Sequence, residues 1–350
     1  MPNRTRRSLI GLGIGAVGVA GAGLAGQVLA RRALPALEAR APGARPAGIR
    51  EQRLRMDDGA SLRVLQAGPD PTPGSSRPPV VLLHGITLGA DIWHRQMSDL
   101  AGAGHPVVAY DMRGHGGSDG AQLTFARLVA DLEEVLSQLD LARVVLVGHS
   151  MGGMIAIKAL SSDRVTASGR GRVAALGLVA TSANPVSGSG VPGARVVART
   201  LQPLLARTAW LASRIPGPTL PKADLAYLLA RVNFGDDPLP SEVALTQQLV
   251  TDVRAHVTGE LIVEILRFDD LAALRHVDLP AAVVVGTRDL VTPVRHGRAL
   301  ADAIGGAELT VLEGCGHMVM NERPAELLDA ITDLAARIPP ADRRPAGAAR

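Results

Sequence analysis

The ten residues from Val144 to Gly153, reading VVLVGHSMGG, constrain this chain more than any other stretch. A short β-branched run leads into Gly148, His149, Ser150, Met151 and Gly152, and then into apolar residues at helical spacing, Met154, Ile155, Ile157 and Leu160. That order predicts a strand that stops abruptly, a serine at the tip of a tight turn, and a helix whose N-terminal amides point at whatever the serine attacks. Glycine suits positions 148 and 152 because a side chain at either would collide with the neighbouring strand or helix across so sharp a turn. The same string can also be a glycine-rich connection with an incidental serine. Its meaning depends on whether a base, an acid and an oxyanion donor occur where the turn requires them.

The surrounding pattern is that of an α/β domain. Short apolar runs at Val80 to Leu83, Pro106 to Tyr110, Val144 to Val147, Val173 to Val179, Ala281 to Val285 and Leu309 to Leu312 alternate with helical patterns. The helices are expected near Ala90 to Gly102, Leu123 to Leu139, Met151 to Ser161, Val294 to Ile304 and Pro324 to Arg337. Continuous apolar strands separated by such helices imply a mostly parallel, doubly wound sheet covered on both faces. Ahead of it, Gln52 to Gln66 alternates around Asp58 and Gly59, the pattern of a β-hairpin. The alternation breaks once, and residues 185–271 read as an inserted helical lid over the carboxyl edge of the sheet. Within it Val196 to Leu211 is apolar with interspersed arginine; we read it as lid packing on the core rather than a surface for lipid.

The termini are of a different composition. Leu9 to Ala30 is an uncharged stretch of 22 residues with arginines on both sides, long enough to cross a bilayer as a helix. Arg6 and Arg7 before Ser8 and Leu9 also resemble a twin-arginine export signal, but cleavage after Ala30 would leave Arg31 and Arg32 as the new terminus. Residues 1–35 are therefore read as an uncleaved membrane anchor, with export and secretion as the alternative; the orientation stays open. Residues 36–50 form a linker, 51–184 and 272–338 the core, and 339–350 a disordered tail.

Charge and cysteine content remove other classes. Residues 1–50 hold eight arginines against Glu38, so with the whole chain at +4 the remainder carries −3. The basic charge belongs to the N-terminal segment, and no basic face with interleaved aromatics marks a nucleic-acid partner. Cys315 is the only cysteine, which excludes an internal disulfide and a cysteine zinc site. No metal-ligand cluster or dinucleotide fingerprint is visible, so no metal and no cofactor are expected.

A serine hydroxyl is a poor nucleophile near neutral pH and needs an imidazole beside it, oriented by a carboxylate. Both should follow the ends of later strands, because that edge presents Ser150. Asp289 follows the strand ending at Val285, and His317 follows the strand ending at Leu312, in a glycine-rich loop. Upstream, His84, Gly85, Ile86 and Thr87 follow another strand. There the Ile86 amide, with that of Met151 at the helix start, is the candidate oxyanion hole. His84 itself reads as a loop-bracing residue.

With these residues in place the chain resembles the α/β-hydrolase fold superfamily, in its lidded branch of esterases and lipases. The likeness runs from about Gln52 to Arg337, apart from the lid, and includes Asp111 to Asp119 (DMRGHGGSD) and Glu322, Arg323, Pro324. It implies that Asp111 and His115 belong to a structural loop. Epoxide hydrolases and haloalkane dehalogenases of this fold carry aspartate where Ser150 stands. Cofactor-free perhydrolases typically carry a proline in the loop that here reads Ile86, Thr87, Leu88. The expectation is a serine carboxylic ester hydrolase acting on a small-molecule or lipid ester, with the membrane engaged through the N-terminal segment. A carbon–carbon bond hydrolase, a perhydrolase and a non-catalytic lipophile-binding protein are the alternatives.

Overall fold

The computed structural model describes residues 48–71, 77–160, 172–185, 227 and 230–338. The readings of residues 1–47 as anchor and linker, of Val196 to Leu211 and of the C-terminal tail fall outside these residues. No helix among the described residues is long and apolar enough to cross a membrane.

Among the described residues eight strands form one sheet: β1 (Arg50–Arg55), β2 (Ser61–Ala67), β3 (Val80–Leu83), β4 (Val107–Tyr110), β5 (Val144–His149), β6 (Val173–Val179), β7 (Ala281–Gly286) and β8 (Glu308–Leu312). Their order is β1-β2-β4-β3-β5-β6-β7-β8. β1 and β2 are the expected hairpin, paired antiparallel from Arg50 opposite Gln66 to Arg55 opposite Ser61. β2 lies antiparallel to β4, and every later pairing is parallel. Strands with both faces covered should be apolar throughout, since alternate residues enter opposite layers. They do so here: Val81, Leu83, Val108, Val144 and Leu146 pack into one core, and Val80, Leu82, Val107, Val145 and Val147 into the other.

The α-helices given in full by the described residues are α1 (His94–Gly102), α2 (Phe125–Gln138), α3 (Met151–Ala159), α4 (Pro240–Asp252), α5 (Ala255–Arg267), α6 (Val294–Ala303), α7 (Val319–Glu322) and α8 (Pro324–Ala336). α2, α3 and α6 bury Leu128, Leu132, Ile155 and Leu300 against one face. α1 and α8 bury Met97, Leu100, Leu327 and Ile331 against the other. One expectation is corrected in detail. Residues Ala90–Trp93 form a 3₁₀ turn and the α-helix begins at His94. The Ala90 amide is taken by the Asp111 carboxylate at 2.7 Å, and Trp93, at φ −90° and ψ 10°, breaks the run.

Between β6 and β7 the described part of the insertion is helical. Val257 and Leu261 of α5 join one core, and Val243 of α4 joins the other. The insertion also touches loops at the strands' carboxyl ends. A Cβ on Gly89 would lie 3.6 Å from Leu249, and one on Gly114 would lie 2.9 Å from Val257. This part of the insertion therefore reaches across the carboxyl edge, where Ser150, Asp289 and His317 also lie.

Candidate active site

Ser150 follows β5 directly and has φ 51° and ψ −119°, a conformation that costs a non-glycine residue on the order of 1–3 kcal/mol. The surroundings hold it there. Its N–H donates to the Val179 carbonyl at 3.0 Å, and its carbonyl accepts from Thr181 Oγ1 at 2.7 Å and from the Gly153 amide at 2.9 Å. A Cβ on Gly148 would collide with the Gly152 carbonyl, and one on Gly152 with the Leu83 carbonyl. The turn is thus closed on both sides by backbone, which only glycine permits.

Asp289 and His317 meet. The His317 Nδ1–H donates to Asp289 Oδ2 at 2.9 Å, and both side chains are buried. With Nδ1 donating to a carboxylate, Nε2 of the neutral ring is left to accept a proton. Asp289 Oδ1 accepts the amides of Val291 and Thr292, each at 2.8 Å, while Thr292 Oγ1 donates to Oδ2 at 2.7 Å. Burial alone would raise the Asp289 pKa. The adjacent His317 and these hydrogen bonds outweigh it and hold the group at about 2.

The loop carrying His317 is pinned by Asn233, far away in sequence, and by Glu322 just downstream. The His317 N–H donates to the Asn233 carbonyl at 2.7 Å. Glu322 accepts the Gly316 amide at 3.0 Å and the Gly235 amide at 2.7 Å. The insertion thus supplies part of the support for the imidazole.

Upstream, a Cβ on Gly85 would lie 3.2 Å from Ser150 Cβ, so the loop bearing Ile86 runs against the serine. Met151 is the first residue of α3, and its N–H has no acceptor within that helix. His84 does brace this loop: Nδ1 lies 2.7 Å from the Gly85 carbonyl, and Nε2 accepts the Met112 amide at 2.8 Å. His115 accepts the Thr87 amide at 3.3 Å and meets His84 edge to face at 5.0 Å. Burial pushes both imidazoles below the ordinary histidine range, so both are neutral structural groups. Asp111 accepts from Ala90, Gly117 and Arg63, and is likewise taken up by structure.

Four supporting residues, His149, Thr292, Asn233 and Glu322, were given no such role from the sequence. His149 stood inside the motif, and Thr292 lies three residues after Asp289, a spacing at which a carboxylate commonly collects backbone and hydroxyl donors. Glu322 stood in the Glu322, Arg323, Pro324 string of the family likeness, without a role assigned to it, and Asn233 carried no local signal. Cys315 is buried, with its thiol pushed up to about 12 by burial first and by Glu322. Among the described residues no group of three or more His, Cys, Asp or Glu is placed to hold a metal ion.

Comparisons with known proteins agree with the fold. Residues 80–330 match the alpha/beta hydrolase family. Epoxide hydrolase A of Mycobacterium tuberculosis is 30% identical over 324 residues, 82% of this chain and 97% of that protein. Non-heme chloroperoxidase CPO-A1 of Kitasatospora aureofaciens is 30% identical over 256 residues, 68% of this chain and 84% of that one. Among solved structures, an esterase from Exiguobacterium antarcticum superposes with a TM-score of 0.67 at 22% identity, covering 82% of this chain and 99% of its own.

Proposed function

The chain belongs to the alpha/beta hydrolase family, and from that premise we propose that it is a serine hydrolase cleaving carboxylic esters with Ser150, His317 and Asp289. The observation that carries the reading is the 2.9 Å bond from His317 Nδ1 to a fully held Asp289 at the same strand edge as the strained Ser150. His317 Nε2 takes the Ser150 hydroxyl proton as Oγ attacks the acyl carbonyl carbon. The Ile86 and Met151 amides receive the oxyanion, worth about 2.7–4 kcal/mol for one such donor in measured cases. The tetrahedral adduct collapses, His317 gives its proton to the departing alcohol, and the acyl group stays on Oγ. Water then repeats the sequence and releases the acid.

The serine also argues against epoxide substrates, despite the name of one relative. Attack of an alkoxide on an epoxide carbon leaves an ether on the enzyme, and an ether has no carbonyl through which water could release it. The chloroperoxidase relative favours a second fate for the same acyl-enzyme, interception by hydrogen peroxide instead of water. An assay of peracid formation distinguishes the two.

Replacing Ser150 with alanine is expected to lower hydrolysis of short p-nitrophenyl esters by a factor on the order of 10⁴ or more. It should also abolish labelling by a fluorophosphonate. Wild-type rates in Ser150→Ala would refute the assignment. Residues 1–35 are proposed to anchor the protein to a membrane, which makes a lipophilic ester the natural substrate class. Recovery of the intact full chain in the soluble fraction without detergent would refute the anchor.

A further inference from the structure

His149 ends β5 and immediately precedes Ser150, and its ring is buried. Its Nε2 lies 3.0 Å from the backbone carbonyl oxygen of His317, so this nitrogen bears the proton and donates it. The two imidazole centroids are 4.8 Å apart, with the planes inclined by 54°. On the opposite side Nδ1 faces Gly85, where a Cβ would come within 2.9 Å. One ring is therefore wedged between the loop after β3, the turn that presents the nucleophile and the loop that carries the base.

We propose that His149 is a positioning residue for the base, holding His317 between Ser150 and Asp289 through its Nε2–H bond to the His317 carbonyl and its ring contact. The proposal rests on the Ser150, His317 and Asp289 reading above. His149 is not itself placed to shuttle the serine proton, because Nε2 is committed to a carbonyl and Nδ1 points at Gly85. Burial first, and the neighbouring His317 second, keep it well below the ordinary histidine range, so it remains a neutral donor at working pH. Asp289 fixes one end of the His317 ring and Asn233 fixes its amide. His149 takes the carbonyl and one face of the ring, which the other two leave undetermined.

Two substitutions separate this role from bulk packing. In His149→Gln the amide nitrogen reaches the position of Nε2, and in His149→Leu the space is filled without a donor. On p-nitrophenyl acetate, with the full chain, His149→Leu should lose about 10–100-fold in kcat with KM within about threefold of wild type. The acid limb of its kcat/KM profile should move to lower pH as the bond to Asp289 loosens. His149→Gln should stay within about fivefold of wild type with an unmoved limb. Proton NMR of the downfield His317 Nδ1–H resonance gives a readout that needs no turnover, sharp in wild type and His149→Gln and lost in His149→Leu. If His149→Leu does not fold, His149→Asn, whose amide is too short to reach the carbonyl, replaces it. Wild-type kcat and resonance in the donorless variant would overturn the proposal, as would equal losses in the Gln and Leu variants. Absence of fluorophosphonate labelling in the wild type would instead bring down the triad reading and this proposal with it. Normal labelling with an indifferent His149→Leu brings down the positioning role alone.

Discussion

At the residue scale the chemistry turns on Asp289, whose carboxylate accepts four hydrogen bonds from His317, Val291 and Thr292. Its task is to keep the proton on His317 Nδ1 and so leave Nε2 as the acceptor. In Asp289→Asn the amide can turn its NH₂ toward Nδ1, which forces the proton onto Nε2 and blocks the ring from receiving the serine proton. A fall in kcat on the order of 10³–10⁴-fold is expected, with KM little changed, in steady-state ester hydrolysis. Thr292→Val is milder, because it keeps the shape and removes one donor out of four. It should lower stability by about 1 kcal/mol in urea unfolding and reduce kcat only a few-fold. Equal losses in the two variants would mean that the hydroxyl, not the carboxylate, orients the base. Ser150, Asp289 and His317 were legible in the sequence because each lies at or just past the end of an apolar strand. His149 was visible too, but only the folded chain shows that its ring lies against His317, 168 residues away.

At the scale of elements, legibility followed the range of the interactions. The start of α2 has a local signal, Thr124, whose hydroxyl accepts the Arg127 amide at 3.2 Å. It has a second support that no local pattern encodes, the Glu264 carboxylate of α5, which accepts the Phe125 amide at 2.9 Å. The 3₁₀ turn before α1 escaped prediction for the same reason, since Asp111 dictates it from beyond β4. The insertion is anchored in this nonlocal way as well. Buried Glu242 of α4 accepts from Arg95 Nη2 of α1 at 2.6 Å and from Asn321 Nδ2 of α7 at 2.5 Å. α7 begins two residues after His317, so this clamp ties the insertion to the loop of the base. Removing the carboxylate strands a buried amide and a half-exposed guanidinium. Glu242→Ala should therefore cost about 2–4 kcal/mol in urea unfolding. It should also lower kcat, because the His317 loop loses one of its braces. A variant with wild-type stability and rate would show that α4 is held by its apolar contacts alone.

For the whole molecule, the parallel sheet was readable because both faces of its central strands are covered and β3, β4, β6 and β7 are built almost wholly of apolar residues and glycine. The polar groups buried with it were not, since burial of a histidine depends on the assembled layers. His84 and His149 are held well below the ordinary histidine pKa, and His105, His115 and His296 are also lowered, in each case chiefly by burial. The charged neighbours act on both sides: Arg77 by His105 and Arg295 by His296 act in the same direction, while Asp111 by His115 and Asp289 by His149 and His296 oppose it. In the unfolded chain these histidines bind protons as pH falls below about 6.5, whereas in the folded chain they stay neutral to lower pH. Through that window the unfolded state holds more protons, so stability decreases as pH falls, by about 1.4 kcal/mol per pH unit for each proton of difference. The depressed carboxylates act later. Asp58 and Asp289, both held at about 2, lose their contribution only as pH falls from about 4 toward 2. Glu322, raised by burial, works in the opposite direction within the carboxylate range. The thermal midpoint should therefore decline between pH 7 and pH 5, with a steepness corresponding to more than one proton. His105→Gln, which removes one such group at a site bonded to the Pro78 carbonyl, should flatten that decline. A midpoint that stays level from pH 7 down to pH 5 and falls only below pH 4 would mean that the carboxylate pairs, and not the buried imidazoles, set the acid limit of this fold.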